Sequence, residues 1–82
     1  MRINENEDNF KTSDFCLASY LLAKNIPLIG TERVGGNRVT FVYQSSAELN
    51  SLVSEYFQMQ AVIEPMVFFS AQKRLKQLIY QK

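Results

Sequence analysis

The stretch Pro27 to Gln44, PLIGTERVGGNRVTFVYQ, constrains this chain most, because two apolar runs flank a Gly-Gly pair in the manner of a β-hairpin. An isolated two-stranded hairpin is marginal in water, so the flanking sequence has to cover it. Three turn registers are open. A Gly35-Gly36 loop sets Arg33 opposite Arg38, a like-charge pair costing a few tenths of a kcal/mol up to about 1, and a Gly35-Gly36-Asn37 loop avoids that pair. A Val34-Gly35-Gly36 loop puts glycine at the left-handed position of a bulge and sets Glu32 opposite Arg38, Thr31 opposite Val39 and Ile29 opposite Phe41. This last register is the preferred reading. It turns Ile29, Thr31, Val39, Phe41 and Tyr43 toward the helices and leaves Leu28, Gly30, Glu32, Arg38, Thr40 and Val42 on the outer face.

Helices are expected on both sides of the hairpin. Thr12 or Ser13 can cap a first helix, with Asp14 in its first turn, and the helix runs to about Lys24. Its nearly unbroken apolar set, from Phe15 to Ala23, implies cover on more than one side. Asn25 is suited to end it, and Pro27 forces the chain out. Ser45-Ser46-Ala47-Glu48 has the form of a capping box, and Leu49, Leu52, Val53, Tyr56 and Phe57 make one stripe of a second helix. Ala61-Val62-Ile63 is apolar and β-branched, and is expected to offer a third strand. Pro65 suits the first position of a third helix ending near Tyr80, with Met66, Val67, Phe68, Phe69, Ala71, Leu75, Leu78 and Ile79 as its apolar set. The expected fold is α+β, ordered α-β-β-α-(β)-α, with the hairpin packed against three helices.

Residues 1–9 hold Glu5, Glu7 and Asp8 against Arg2 and read as a disordered polar tail, and residues 10–82 as a single small domain. At 82 residues such a domain buries roughly 60% of the surface its unfolded chain exposes. The lone Cys16 can form no internal disulfide, and no secretory h-region or stretch long enough to span a membrane is present, so a cytoplasmic protein is expected.

Chemistry is sparse. There is no histidine, so the commonest general base and metal ligand is missing, and one cysteine cannot make a structural zinc site. Cys16, between Phe15 and Leu17, reads as a small core hydrophobe. The acidic residues Asp14, Glu32, Glu48 and Glu64 have local duties at helix starts or across from Arg38, and no base stands ready to activate Thr12, Ser13 or Ser45. Gly35-Gly36 has neither the spacing nor the context of a phosphate loop. Neither an enzyme nor a bound metal or cofactor is expected.

Charge offers one lead. Nine basic against eight acidic residues give +1, but eight basic against five acidic from Phe10 onward leave +3. Lys73, Arg74 and Lys76, with Arg33 and Arg38 on the hairpin, are candidate nucleic-acid contacts, with Lys73, Lys76 and Tyr80 spaced to share a helix face. Cations near a helix C-terminus are also favoured by the helix dipole alone.

Phe10-Lys11-Thr12-Ser13-Asp14, Leu21-Leu22-Ala23-Lys24-Asn25-Ile26-Pro27-Leu28-Ile29-Gly30, Arg38-Val39-Thr40-Phe41-Val42, and Phe68-Phe69 with Arg74-Leu75-Lys76 and Leu78-Ile79-Tyr80 together resemble a family of small bacterial domains of unknown function. The resemblance spans Phe10 to Tyr80. It implies a stand-alone protein of bacterial, phage or mobile-element origin, and brings no activity with it; the family's hairpin turn is shorter, often Asp-Gly. The leading expectation is a non-enzymatic module that binds a protein or its own copy through Leu28 and Val42 on the outer hairpin face. The alternative is a nucleic-acid-binding accessory protein using the five basic residues.

Overall fold

The computed structural model describes residues 9–33, 35–36 and 38–80, which form β1 (Asn9–Thr12), α1 (Phe15–Ala23), β2 (Leu28–Arg33), β3 (Val39–Gln44), α2 (Ala47–Phe57) and α3 (Pro65–Tyr80). The fold is α+β, with three helices and an antiparallel three-stranded sheet ordered β1-β3-β2. The third strand is β1 and not Ala61-Val62-Ile63, which is irregular. Thr12, a candidate helix cap by sequence, is instead part of Phe10-Lys11-Thr12, which pairs with the far side of β3, Phe10 opposite Tyr43 and Thr12 opposite Phe41. Asn9, assigned from sequence to the tail, opens β1, and residues 1–8 lie outside the described residues.

With Thr12 drawn into the sheet, the cap of α1 falls to Asp14, whose Oδ1 accepts from the Leu17 amide at 3.0 Å. Thr12 Oγ1 accepts from the Asp14 amide at 3.0 Å and so fixes the corner between β1 and α1. Ser46, one residue later than expected, caps α2 and accepts from the Leu49 amide at 3.0 Å. The end of α1 is a Schellman motif: Asn25 at φ 69° and Ile26 donate back to the Leu22 and Leu21 carbonyls, and buried Ile26 joins Leu21 in the core.

The hairpin follows the register of a Gly35-Gly36-Asn37 loop and not the preferred Val34-Gly35-Gly36 one. Arg33 faces Val39, Glu32 faces Thr40 and Thr31 faces Phe41. Gly35 and Gly36 both adopt left-handed φ, 56° and 57°, so the turn needs two consecutive residues free of a Cβ clash. Val34 and Asn37 lie outside the described residues. Glu32 has no need of Arg38, since Lys11 of β1 reaches it at 3.4 Å across the outer face of β3.

A bulge between Leu28 and Gly30 then shifts the register by one, so that Leu28, and not Ile29, stands opposite Tyr43. The expected faces are exchanged at this point. Leu28 packs against the core, and Ile29 is 56% exposed. Tyr43 is fully buried, and its hydroxyl donates to the Ala18 carbonyl at 2.6 Å, tying the middle strand to α1.

The core joins Leu17, Ala18, Tyr20 and Leu21 of α1 to Phe41 and Tyr43 of the sheet, Leu49 and Leu52 of α2, and Leu75 of α3. Burial of consecutive residues in α1 agrees with its reading as the central helix. Cys16 is exposed, contrary to its reading as a core residue. Phe57 of α2 and Met66, Val67, Phe69 and Leu78 of α3, all on the expected apolar faces, are also exposed; α2 buries only Leu49 and Leu52, and α3 only Ala71 and Leu75.

Burial pushes the Tyr43 phenol well above the usual tyrosine range, an effect only partly opposed by the Arg74 charge. The folded state thus holds this proton more tightly than the unfolded chain. The associated stability is fully present below about pH 10 and falls as the pH rises above it, by up to about 1.4 kcal/mol per unit for one group. Urea unfolding at stepped alkaline pH should show this decline in the wild type and a shallower one in Tyr43→Phe. Equal slopes would remove Tyr43 as its source.

Candidate functional site

The residues singled out from sequence reach three different places. Leu28 is half-buried against the core, and Val42, on the outer face of the central strand, is only 5% exposed. Its cross-strand neighbours are Lys11 and Gly30, and the Lys11–Glu32 ion pair spans the strand on that same face. Around Val42 the outer sheet surface is thus polar, and the apolar side chain that β2 exposes is Ile29.

Arg33 and Arg38, in contrast, are brought together. The sheet extends beyond its helices at the turn end of the hairpin, leaving an open groove of about 990 Å³ on its inner face. Phe15, Val39, Phe41 and Ile79 form an apolar floor, Arg33 and Arg38 supply two guanidinium groups, and Ser13 and Tyr80 add hydroxyls. The Phe15 and Phe41 rings meet at 6.3 Å, and Ser13 Oγ and Thr40 Oγ1 lie 3.1 Å apart beside them. Arg33 Nη2 donates to the Ile79 carbonyl at 2.8 Å, placing a cation at the negative end of the α3 dipole. This contact uses one of five guanidinium N–H donors.

The basic residues of α3 divide. Lys76 and Lys73 precede Tyr80 by one and two turns on the same flank of the helix, and the Lys73 Nζ sits 5.6 Å over the Phe69 ring. Arg74 is about 200° around the helix from Lys76. It lies on the other flank, in a separate groove with Leu22, Ala23, Asn25, Met66 and Val67. Of the five candidates, Arg33 and Arg38 line the groove, Lys73 and Lys76 share the α3 flank of Tyr80 without lining it, and Arg74 stands apart. No carboxylate interrupts α3 from Pro65 to Tyr80. The lone ion pair among the described residues, Lys11–Glu32, is on the opposite face of the sheet.

The sequence does not mark Phe15 or Ser13 for the site. The hydrophobicity of Phe15 fits core and groove alike, and only the place where the helices stop decides between them. No group of three or more Cys, Asp or Glu side chains able to hold a metal ion occurs among the described residues, and none of their helices is long and apolar enough to cross a membrane.

A family model described as a domain of unknown function, DUF5659, matches residues 7–81, a span that takes in every strand and helix described above. No curated protein and no solved structure matches the chain.

Proposed function

We propose, from the premise that the chain belongs to the DUF5659 family and takes no activity from it, that this protein is a non-enzymatic module that binds single-stranded nucleic acid. The observation that carries the reading is the groove at the open end of the sheet, where Arg33 and Arg38 stand beside the exposed Tyr80 ring and the half-buried Phe15 ring. Cations that neutralise phosphates, set beside aromatic faces on which bases stack, are the two components of sequence-tolerant single-strand binding. Bases in a duplex cannot reach such rings, so the preferred ligand is unpaired. Lys73 and Lys76 continue the cationic track along α3. The setting we propose, a bacterial or phage cytoplasmic protein, rests on the sequence resemblance and the single cysteine.

Fluorescence anisotropy with single- and double-stranded DNA and RNA at about 50 mM salt tests the reading. Single strands should bind more tightly than duplexes, with micromolar affinity in keeping with a net charge of only +1. Affinity should fall with salt by about 0.7 logarithmic units per tenfold for each phosphate neutralised. Arg38→Ala should weaken binding several-fold and reduce that slope by about 0.7. Tyr80→Ala, by removing a 76% exposed ring, should weaken it about tenfold while sparing the slope. Arg74→Ala, on the far flank, should change neither. Absence of binding, or equal losses for Arg38→Ala and Arg74→Ala, overturns the reading.

A further inference from the structure

A second surface lies at the corner where α2 gives way to α3, and its chemistry is the opposite of the groove's. Phe57 is 66% exposed, Met59 91%, Val62 75% and Met66 64%. From Phe57 to Ser70 the only charged residue is Glu64, and its Oε1 is engaged as an acceptor from the Val67 amide at 2.9 Å. The corner is therefore apolar at its centre, with Arg74, in the groove beside Met66, the charge at its edge.

The backbone presents this surface at some cost. Gln58 closes α2, and Met59 and Gln60 donate back to the Tyr56 and Glu55 carbonyls in a second Schellman motif. The left-handed position of that motif normally holds glycine, but here it holds Met59 at φ 61°. A glycine would satisfy the turn with less strain and would remove the most exposed large hydrophobic side chain of the described residues.

We infer that this corner is the interface of a homodimer, in which the Phe57, Met59, Val62 and Met66 surface of one copy meets the same surface of a second. Two arguments favour a second copy. A two-fold contact brings each residue toward its own kind, which a charged face opposes and an uncharged centre allows. Homodimer interfaces are apolar and depleted of charge at their centre. Two Met, one Phe and one Val, together with the flanking polar side chains, approach the roughly 800 Å² per partner of a standard interface. The flexible thioethers suit a surface that must repack on contact. The groove with Arg33 and Arg38 is not involved, so the inference stands apart from the nucleic-acid reading.

Sedimentation equilibrium of the full chain from about 1 µM to about 1 mM tests it. A chain of 9.5 kDa should approach twice that mass within this range. Val62→Lys and Met59→Lys each add a charge at a position at least 75% exposed, where the fold tolerates it. Each should raise the dimer dissociation constant at least tenfold, and the pair at least a hundredfold, with unchanged circular dichroism. Arg38→Ala should leave the constant unchanged. A single 9.5 kDa species at every concentration overturns the inference, as does a dimer unaffected by both lysines. A monomer that instead cosediments with neutral phosphatidylcholine vesicles also overturns it and reassigns the corner to a lipid surface.

Discussion

A chain beginning at Ser13 is expected to show no cooperative unfolding transition by circular dichroism. The deletion removes β1 and with it one of the two ladders that flank β3. What is left of the sheet is a hairpin, marginal without further strands or packing. Phe10, half-buried against the core opposite Tyr43, is lost as well, and the inner face of the central strand opens to water beside a fully buried phenol. The corner into α1 loses the Thr12 hydroxyl that accepts from the Asp14 amide, and Glu32 loses its Lys11 partner. Small domains have roughly 5–10 kcal/mol of stability, and the combined loss is of that order. Retention of a transition within about 1 kcal/mol of the full chain would mean that β1 lies outside the folding unit.

The second large effect concerns α3. Leu75→Ala should cost about 3 kcal/mol, since a fully buried leucine loses both its transfer free energy and its packing. In a domain this size the melting temperature should fall by about 12–24 °C. The helix is held to the core chiefly through Leu75 and Ala71, with Phe68 and Ile79 half-buried on the same face, so no other fully buried side chain on α3 compensates. Leu78→Ala, at 41% exposure, is the control and should cost less than about 1 kcal/mol. Because Ile79 and Tyr80 form one wall of the groove, a looser α3 should also weaken single-strand binding beyond the change expected from stability alone. Equal melting temperatures for the two variants would show that α3 is anchored in some other way.

Those two expectations fall on parts of the chain that were unequally legible. The helices announced themselves through local chemistry: Pro65 at the first turn of α3, Asn25 after α1, and serines before α2. The inward direction of Phe41 and Tyr43 followed from strand alternation and survived the change of register, since the expected and observed turns differ by two in pairing and keep the same faces. β1 was illegible because four residues of mixed polarity, Asn9-Phe10-Lys11-Thr12, become a strand only by adding to an edge that is distant in sequence. The helix caps shifted for the same reason, with Thr12 taken by the sheet and Asp14 left to cap.

The site was legible in its ingredients and not in its assembly. Arg33, Arg38, Lys73 and Lys76 were identified by charge, but a count of basic residues cannot exclude Arg74, which only helical phase and the position of α1 assign to another groove. Leu28 and Val42 misled for a different reason. A single-residue bulge exchanges Leu28 for Ile29, and burial of Val42 depends on a strand that was not foreseen.

The bulge also bears on how the hairpin's turn can vary in length. With the present turn, uninterrupted pairing would set Ile29 opposite Tyr43 and send Leu28 outward, so the extra residue at the start of β2 compensates for the extra residue at its end. Between Leu28 and Tyr43 the present turn leaves six residues (29–34) on the β2 side against five (38–42) on the β3 side, so one must bulge. A relative of equal length whose turn takes one residue fewer has six on each side, needs no bulge and keeps Leu28 against the same phenol. The two hairpins align without a gap, although their turns and their pairing differ.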